Sequence, residues 1–413
     1  MSEHTRRQFL KTAAVSSAMA MSAKSYARVA GANERISIGV VGCGGRGRGA
    51  LMTGAQQHAA AENIEITAVS DPHRLAREEA SAMCKEWFGR EARQFVSYRE
   101  IMALDDVDAV MIASPDHVHT VQLKAAADAK KDTYIEKPLS MDMPSMNVAF
   151  DAVKASGIVV QVGTQLRSLA GFTGVREFYK TGALGTVSRV EQVRNSDRPY
   201  WYGYLKDIKE EDVDWQEFLH DRPYRPFDAA QYSAWFGYRD FSDGPLPNLG
   251  VHFLDLAHYM TGAEIPDNAV CLGSVHTWKD EYNFDVPDNT QAAWTYPDGF
   301  IVTYSTNFGN GSGNSFKIFG DEGVVDMANQ SAPVFSKAGV RGATRGTEPE
   351  PIPVVERPDH MLNWLQCLRT RETPHAPIET GYNHSVAALM AMRAMDTGRR
   401  QVFDRSTREI REG

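Results

Sequence analysis

A short apolar run, Ile36-Ser37-Ile38-Gly39-Val40-Val41, leads directly into Gly42-Cys43-Gly44-Gly45-Arg46-Gly47. A strand feeding G-x-G-x-x-G and then a helical stretch restricts the local fold severely. The first glycine makes the tight turn, and the second lets the backbone approach a pyrophosphate. The third lets helix and strand pack closely, while the helix N-terminus offers free N–H groups and a positive dipole end. Gly42, Gly44, Gly45, Arg46 and Gly47 are therefore candidate dinucleotide contacts. A second apolar run, Ile64 to Ser70, ends at Asp71, 24 residues past Gly47. At that distance an acidic side chain accepts hydrogen bonds from the adenosine ribose and repels a 2′-phosphate. Asp71 thus favours NAD over NADP, although the adjacent His73 and Arg74 are cations able to reverse that preference.

Residues 1–32 read as an address and linker. Thr5-Arg6-Arg7-Gln8-Phe9-Leu10-Lys11 is a twin-arginine pattern, followed by a weakly apolar stretch from Thr12 to Ala23. Small-residue cleavage options follow at Ser25-Tyr26-Ala27 and Ala30-Gly31-Ala32. The apolar stretch is too short and too polar to span a bilayer, so no stable membrane anchor is expected. The expected route is the twin-arginine export machinery, and the expected location is periplasmic or otherwise extracytoplasmic. Outside the cytoplasm there is no pool of free nucleotide, so the cofactor has to be carried tightly bound and regenerated in place.

Cleavage after Ala27 removes four basic residues and one acid, moving the formal charge from −9 to −12. An acidic mature chain without a basic run is a poor partner for nucleic acid. The four cysteines, Cys43, Cys84, Cys271 and Cys367, show no C-x-x-C pair and no metal-ligand spacing, and read as free core residues. No metal site is expected.

Three further strand ends follow. Val107 to Ala113 ends at Ser114-Pro115-Asp116-His117-Val118-His119, Asp132 to Ile135 ends at Glu136-Lys137-Pro138, and Ile158 to Val162 ends at Gly163-Thr164-Gln165-Leu166-Arg167. Helical stretches at Thr120–Ala129 and Met146–Ser156 separate them, so the first part is a doubly wound parallel sheet whose ligands lie beyond the strands' carboxyl ends. Lys137 stands out there. An ammonium beside a nicotinamide binds a substrate hydroxyl and stabilises growing alkoxide character, and burial lowers its pKa.

The order G-x-G-x-x-G, strand-end Asp, Ser-Pro-Asp-x-x-His, Glu-Lys-Pro and Gly-Thr-Gln-x-Arg-Ser resembles the Gfo/Idh/MocA family of glucose–fructose oxidoreductase and inositol dehydrogenase type. The segment Val213-Asp214-Trp215 to Pro226-Phe227 is similar to an exported, twin-arginine branch, and the likeness runs from about Arg35 to Asp404. The resemblance implies an N-terminal Rossmann domain plus a C-terminal α+β domain with a large, open, mostly antiparallel sheet. It also implies NAD(P)-dependent chemistry on sugars and polyols, and a homodimer or homotetramer. On it, Ser114, Pro115, His119, Glu136, Lys137 and Gln165 join the cofactor-binding set, and Lys137 becomes catalytic. The expected units are 33–165 (nucleotide-binding), 166–375 (substrate and oligomerisation), and 376–413 (a C-terminal helix and tail packing back on the junction).

From Leu184 the pattern turns to β, with strands at Thr186–Asn195, Ala269–Trp278, Asn289–Tyr296, Phe300–Phe308 and Ser315–Phe319. Short turns such as Pro297-Asp298-Gly299 argue for antiparallel neighbours. Ser331 to Glu350 reads as a long surface loop. A helix from Gly250 to Met260 places Asn248, His252 and Asp255 where they can share a face. The family pattern here is Asp-x-x-x-His, with the histidine as proton acceptor. His252 matches, but Asn248 stands where the family has aspartate, and an amide orients a hydroxyl without taking its proton. Asp255 reads as a structural partner. Tyr200, Trp201 and Tyr202 are candidates to pack on a sugar's apolar face, or else to form a subunit interface. Arg167 is a candidate contact for an anionic group or the cofactor.

Three activities are compatible with these residues. The first is an exported oxidoreductase transferring hydride between a tightly bound nicotinamide cofactor and a sugar, polyol or glycoside hydroxyl. The second is a redox-neutral enzyme that cleaves glycosides through transient oxidation and elimination. The third is a non-catalytic nucleotide-binding protein, against which intact Lys137 and His252 argue.

Overall fold

The computed structural model describes residues 34–342 and 348–413; the expected export segment at 1–32 lies outside them. Six parallel strands form the first sheet: β1 (Ile36–Val41), β2 (Ile64–Ser70), β3 (Arg93–Phe95), β4 (Ala109–Ile112), β5 (Asp132–Ile135) and β6 (Val160–Val162). Their order is β3-β2-β1-β4-β5-β6. That order reverses direction between β1 and β4, and the resulting crevice is where such sheets take ligands. β4 is buried at every residue because helices cover both faces of the sheet. The edge strand β3 is too short and polar to be read from hydrophobic pattern. The helix expected from Met146 begins at Met143, because Asp142 caps it by accepting from the Ser145 N–H at 2.8 Å.

The second sheet has ten strands: β7 (Val187–Asn195), β8 (Asn268–Ser274), β9 (Asn289–Thr295), β10 (Ile301–Asn307), β11 (Ser315–Gly320), β12 (Val324–Asp326), β13 (Val334–Ser336), β14 (Glu350–Pro351), β15 (Gln401–Asp404) and β16 (Glu409–Glu412). The sheet is mostly antiparallel, as expected, with one parallel pair among the described residues, β7 with β10. The chain makes an excursion of some seventy residues after β7, so no hairpin constrains its neighbour. The expected loop from Ser331 to Glu350 also contributes β13, paired with β12, and the start of β14. Alternation is clean in β9 and β10, where every second residue is buried. On the opposite face Leu272 is 75% exposed, with Val270 and Ile301 also exposed.

The helix Ile378–Thr397 is buried along most of its length and lies between the two sheets. A Cβ on its Gly381 would come within 2.7 Å of Val162, and Trp294 of β9 donates its indole N–H to the Ala387 carbonyl at 2.8 Å. The helix His360–Thr370 departs from the expected boundary at 375. Its Met361, Trp364, Leu365 and Leu368 pack in the first domain's core with Ile38, Val40, Met111 and Tyr134. All four cysteines are buried and unpaired.

A buried ion pair sits under the helix Val251–Thr261. Arg167 donates to both carboxylate oxygens of Asp255, at 2.9 and 2.7 Å, and to the His375 carbonyl at 2.8 Å. Arg167, expected to reach an anionic ligand or the cofactor, is instead fully engaged within the protein, because a buried guanidinium needs a fixed counter-charge. Burial pushes the Asp255 carboxyl up, but the Arg167 guanidinium beside it outweighs that and holds it far below the usual carboxylate range. The associated stability is complete above the unfolded carboxylate value of ~3.9 and is lost as pH falls toward the depressed folded value. Asp255→Ala leaves Arg167 buried and unpaired and is expected to cost about 3–5 kcal/mol, measured as a lower urea midpoint at neutral pH.

Candidate active site

The nucleotide-facing cleft begins where β1 turns. Gly42 has φ +90°, and a Cβ there would lie 2.6 Å from the backbone of Ala113 and Ser114, so the two strand ends can meet only at a glycine. A Cβ on Gly47 would sit 2.0 Å from the Gly42 carbonyl oxygen, which is the close helix–strand approach expected of the third glycine. Gly42, Gly44, Gly45, Arg46, Asp71, Ser114 and Pro115 come together around a cleft of about 390 Å3. The Asp71 carboxylate accepts from the N–H groups of Cys43 and His73, at 2.7 and 2.8 Å. This ties the end of β2 to the glycine loop. Burial raises its pKa while those two donors favour the anion. Of the two cations adjacent in sequence, Arg74 pairs with Glu78 and Asp212, and burial lowers the His73 pKa, keeping it neutral at pH 7. The chemistry left at the cleft suits a ribose with free hydroxyls.

The second domain roofs this cleft. Tyr204, Lys206, Ile208, Phe218, Tyr232 and Phe236 line its far wall. The segment is tied down along the first domain: Asp214 donates its N–H to the Pro72 carbonyl at 3.0 Å, and Ser97 donates to Glu217 at 2.8 Å. The His117 Nε2 lies 2.9 Å from the Phe218 carbonyl oxygen, and Tyr232 donates to Asp71 at 3.4 Å. Behind the roof, Trp215, Phe218, Leu219 and Phe241 form their own apolar cluster.

At the end of β5, alternate side chains go opposite ways. Glu136 takes Arg46 of the glycine loop at 2.6 Å and the Gln165 amide at 3.0 Å. Lys137 turns toward the second domain. Its ammonium donates to the Asn248 carbonyl at 2.8 Å and to the Asn248 side-chain oxygen at 3.2 Å. Burial lowers the Lys137 pKa, and Glu136 and Asp116 oppose that shift. Asn248 lies in a wide π-type turn, Leu246–Gly250, that leads into the helix carrying His252. Burial, reinforced by Lys137, pushes the His252 pKa well below its usual value, so its imidazole is neutral and able to accept a proton. Its Nδ1 is shielded and has no hydrogen-bond partner among the described residues.

Several candidates sit elsewhere. The His119 ring bridges the carbonyl oxygens of Pro138 and Ser114, at 2.7 and 2.9 Å, so it braces two strand ends and is not free to contact a cofactor. Trp201 and Tyr202, expected at a sugar face or subunit interface, are buried in a cluster with Phe284 and Phe308, and Tyr202 bonds Asp280. Only Tyr200 of that group has its hydroxyl near the centre. That hydroxyl is buried without a hydrogen-bond partner among the described residues and feels the charge of Asp116. The sequence reading did not single out Tyr232, Phe236, Asp116 or Ser242. Asp116 stood within a noted motif and Phe218 within the noted segment from Val213 to Phe227, but nothing local marks Tyr232 or Phe236 as part of a roof.

A model described as "Oxidoreductase family, NAD-binding Rossmann fold" (GFO_IDH_MocA) matches residues 36–164, and the "GFO/IDH/MocA C-terminal domain" matches 172–326. The chain is 23% identical over 236 residues to an uncharacterized oxidoreductase, YrbE, of Bacillus subtilis, covering 57% of this chain and 56% of that protein. It is 25% identical over 270 residues to levoglucosan dehydrogenase of Pseudarthrobacter phenanthrenivorans, covering 60% and 62%. The chain thus spans little more than half the length of these relatives. A levoglucosan dehydrogenase structure in complex with NADH and levoglucosan superposes with a TM-score of 0.67 at 17% identity, covering 89% of this chain and 98% of that one. Because Gly47 faces the Gly42 carbonyl, Gly47→Ala forces an overpacking cost of about 1–3 kcal/mol. The variant is expected to hold NAD about tenfold more weakly or worse, read as nucleotide released from the denatured purified protein.

Proposed function

Given that this chain belongs to the Gfo/Idh/MocA oxidoreductase family, we propose that it transfers hydride between an NAD that stays bound and a hydroxyl-bearing carbon of a sugar, polyol or glycoside. The observation that carries this reading is the hold of Asn248 on Lys137 at the carboxyl end of β5, with His252 in the helix that follows and near enough to feel the lysine's charge. Through Glu136 and Arg46 that point is continuous with the roofed cleft. NAD, when bound, supplies the acceptor and donor for hydride. Gly42, Gly44, Gly45, Gly47 and Asp71 are assigned to holding it, with Ser114 and Pro115 on the cleft wall. An ammonium has three N–H donors, and Asn248 takes two of those on Lys137. The third is directed to the substrate oxygen, where it stabilises developing negative charge. His252 takes the hydroxyl proton, its imidazole being kept neutral, and so open to accept, by burial and the nearby Lys137. Asn248 orients, and the Tyr200 hydroxyl is assigned to a further substrate hydroxyl.

The roof supports retention of the cofactor, since its bonds to Pro72, Ser97 and Asp71 have to open before the nucleotide leaves. The same enclosure favours a second reading, redox-neutral cleavage of a glycoside. Oxidation of a ring hydroxyl acidifies the neighbouring C–H, the glycosidic bond is lost by elimination, and the carbonyl is then reduced with the electrons first removed. The twin-arginine pattern supports export to the periplasm. Exposed Val270, Leu272 and Ile301 on one face of the ten-stranded sheet support self-association as a dimer or tetramer.

The test uses mature protein with its own cofactor and no added nucleotide, mixed with a panel of free sugars, polyols and glycosides. A lasting near-ultraviolet rise stoichiometric with enzyme is expected for a dehydrogenase awaiting a second substrate. Repeated turnover of a glycoside without a lasting rise is expected for the redox-neutral enzyme. Neither signal with any member of the panel would count against both. Lys137→Ala is expected to lower turnover by about 10²–10⁴-fold with cofactor retained, and full turnover in that variant removes Lys137 from the chemistry.

A further inference from the structure

Behind Lys137 lies a carboxylate that the functional reading leaves unused. Asp116 is 3% exposed, and one of its oxygens accepts from the Ser242 hydroxyl at 2.8 Å and from the Asn248 amide N–H at 2.9 Å. Both of these bonding partners are neutral. The other acid near the lysine, Glu136, is already matched by Arg46 and Gln165.

The orientation of Asn248 follows from the donors and acceptors around it. A carboxylate only accepts and an ammonium only donates, so the amide NH2 has to face Asp116 and the amide oxygen has to face Lys137. Asn248 thereby joins an anion and a cation that do not touch. Its own peptide carbonyl takes a second Lys137 donor, which fixes the ammonium in direction as well as in position.

We propose that Asp116 is a positioning residue for Lys137: through the Asn248 amide it supplies the negative charge that an aspartate at position 248 would have placed directly beside the ammonium. The proposal rests on the reading of Lys137 as the group facing the reacting hydroxyl. An amide at 248 is then compatible with a charged lysine, because a carboxylate stands one residue outward along the same hydrogen-bonded path. The groups facing Asp116 are Lys137 from the end of β5, Ser242, Asp243 and Asn248 from the approach to the His252 helix, and Tyr200 from the roof side. Burial raises the Asp116 carboxyl to about 7, against the opposing effects of Lys137, Ser242 and Asn248 and with Asp243 adding to it. Above that value Asp116 is predominantly an anion.

The test follows the lysine itself and needs no substrate. Holoenzyme labelled with ¹³C at lysine Cε is titrated by NMR from neutral to strongly alkaline pH, with Lys137→Arg identifying the resonance by its loss. Asp116→Asn removes a nearby anion and is expected to move the Lys137 midpoint down by about one pH unit or more. Adding Asn248→Asp is expected to bring the midpoint back to the wild-type value or above it. Nucleotide content and thermal midpoint confirm that each variant is folded and loaded, and Asp116→Ser, which also removes the anion and carries the same expected shift, serves as a second variant should Asp116→Asn fail to fold. An unmoved midpoint in Asp116→Asn overturns the proposal, as does a double variant no different from the single one. Failure of the underlying functional reading shows separately, as full turnover by Lys137→Ala.

Discussion

Charge buried between the two sheets has to be compensated where it stands, and the architecture of the junction follows from that requirement. Three cations stand at that junction: Arg167 is buried, Lys137 is partly buried, and Arg46 is half-exposed over a buried Glu136. Each meets an acid, directly in Arg46–Glu136 and Arg167–Asp255 and through an amide in Lys137–Asn248–Asp116. In a low-dielectric interior an unpaired partner costs several kcal/mol, so these sets pin side chains that their own elements leave free to rotate. The Arg167–Asp255 pair holds the helix of His252 against the end of β6, while the Lys137 set draws the turn before that helix onto the end of β5. The candidate centre lies between the two.

Apolar burial does a different task. The helix Ile378–Thr397 is apolar on most sides because it faces the first sheet, the second sheet and the His252 helix together. Trp215, Phe218 and Phe241 build a separate small core beneath the roof. A loop without such a core would have no fixed position over the cleft. With one, it is a rigid cover attached at several points, and enclosure of a nucleotide becomes a property of packing as well as of hydrogen bonding.

The marks that were legible in the chain are those whose reason is local. Gly42 and Gly47 are glycines because a Cβ at either meets backbone, and the strand-end positions of Asp71, Ser114, Glu136 and Lys137 follow from where apolar runs stop. His119, Arg167, Trp201 and Tyr202 looked equally promising, yet the structure turns them inward to serve Pro138, Asp255 and the Phe284–Phe308 cluster. Nothing in their flanking residues says which way they face, because their partners lie from about twenty to about a hundred residues away. The parallel pairing of β7 with β10 and the return of His360–Thr370 to the first domain's core were hidden for the same reason.

By itself, the sequence determined the doubly wound sheet, the dinucleotide turn, the acid at the end of β2 and the lysine at the end of β5. Each of these is enforced by backbone sterics or by hydrophobic period over a few residues. Only the tertiary structure decided that a segment of the second domain covers the nucleotide cleft, that Arg167 is spent on Asp255, and that Asn248 links Lys137 to Asp116. Those are outcomes of long-range packing, in which a side chain's partner is set by which buried charge or cavity the rest of the chain brings opposite it.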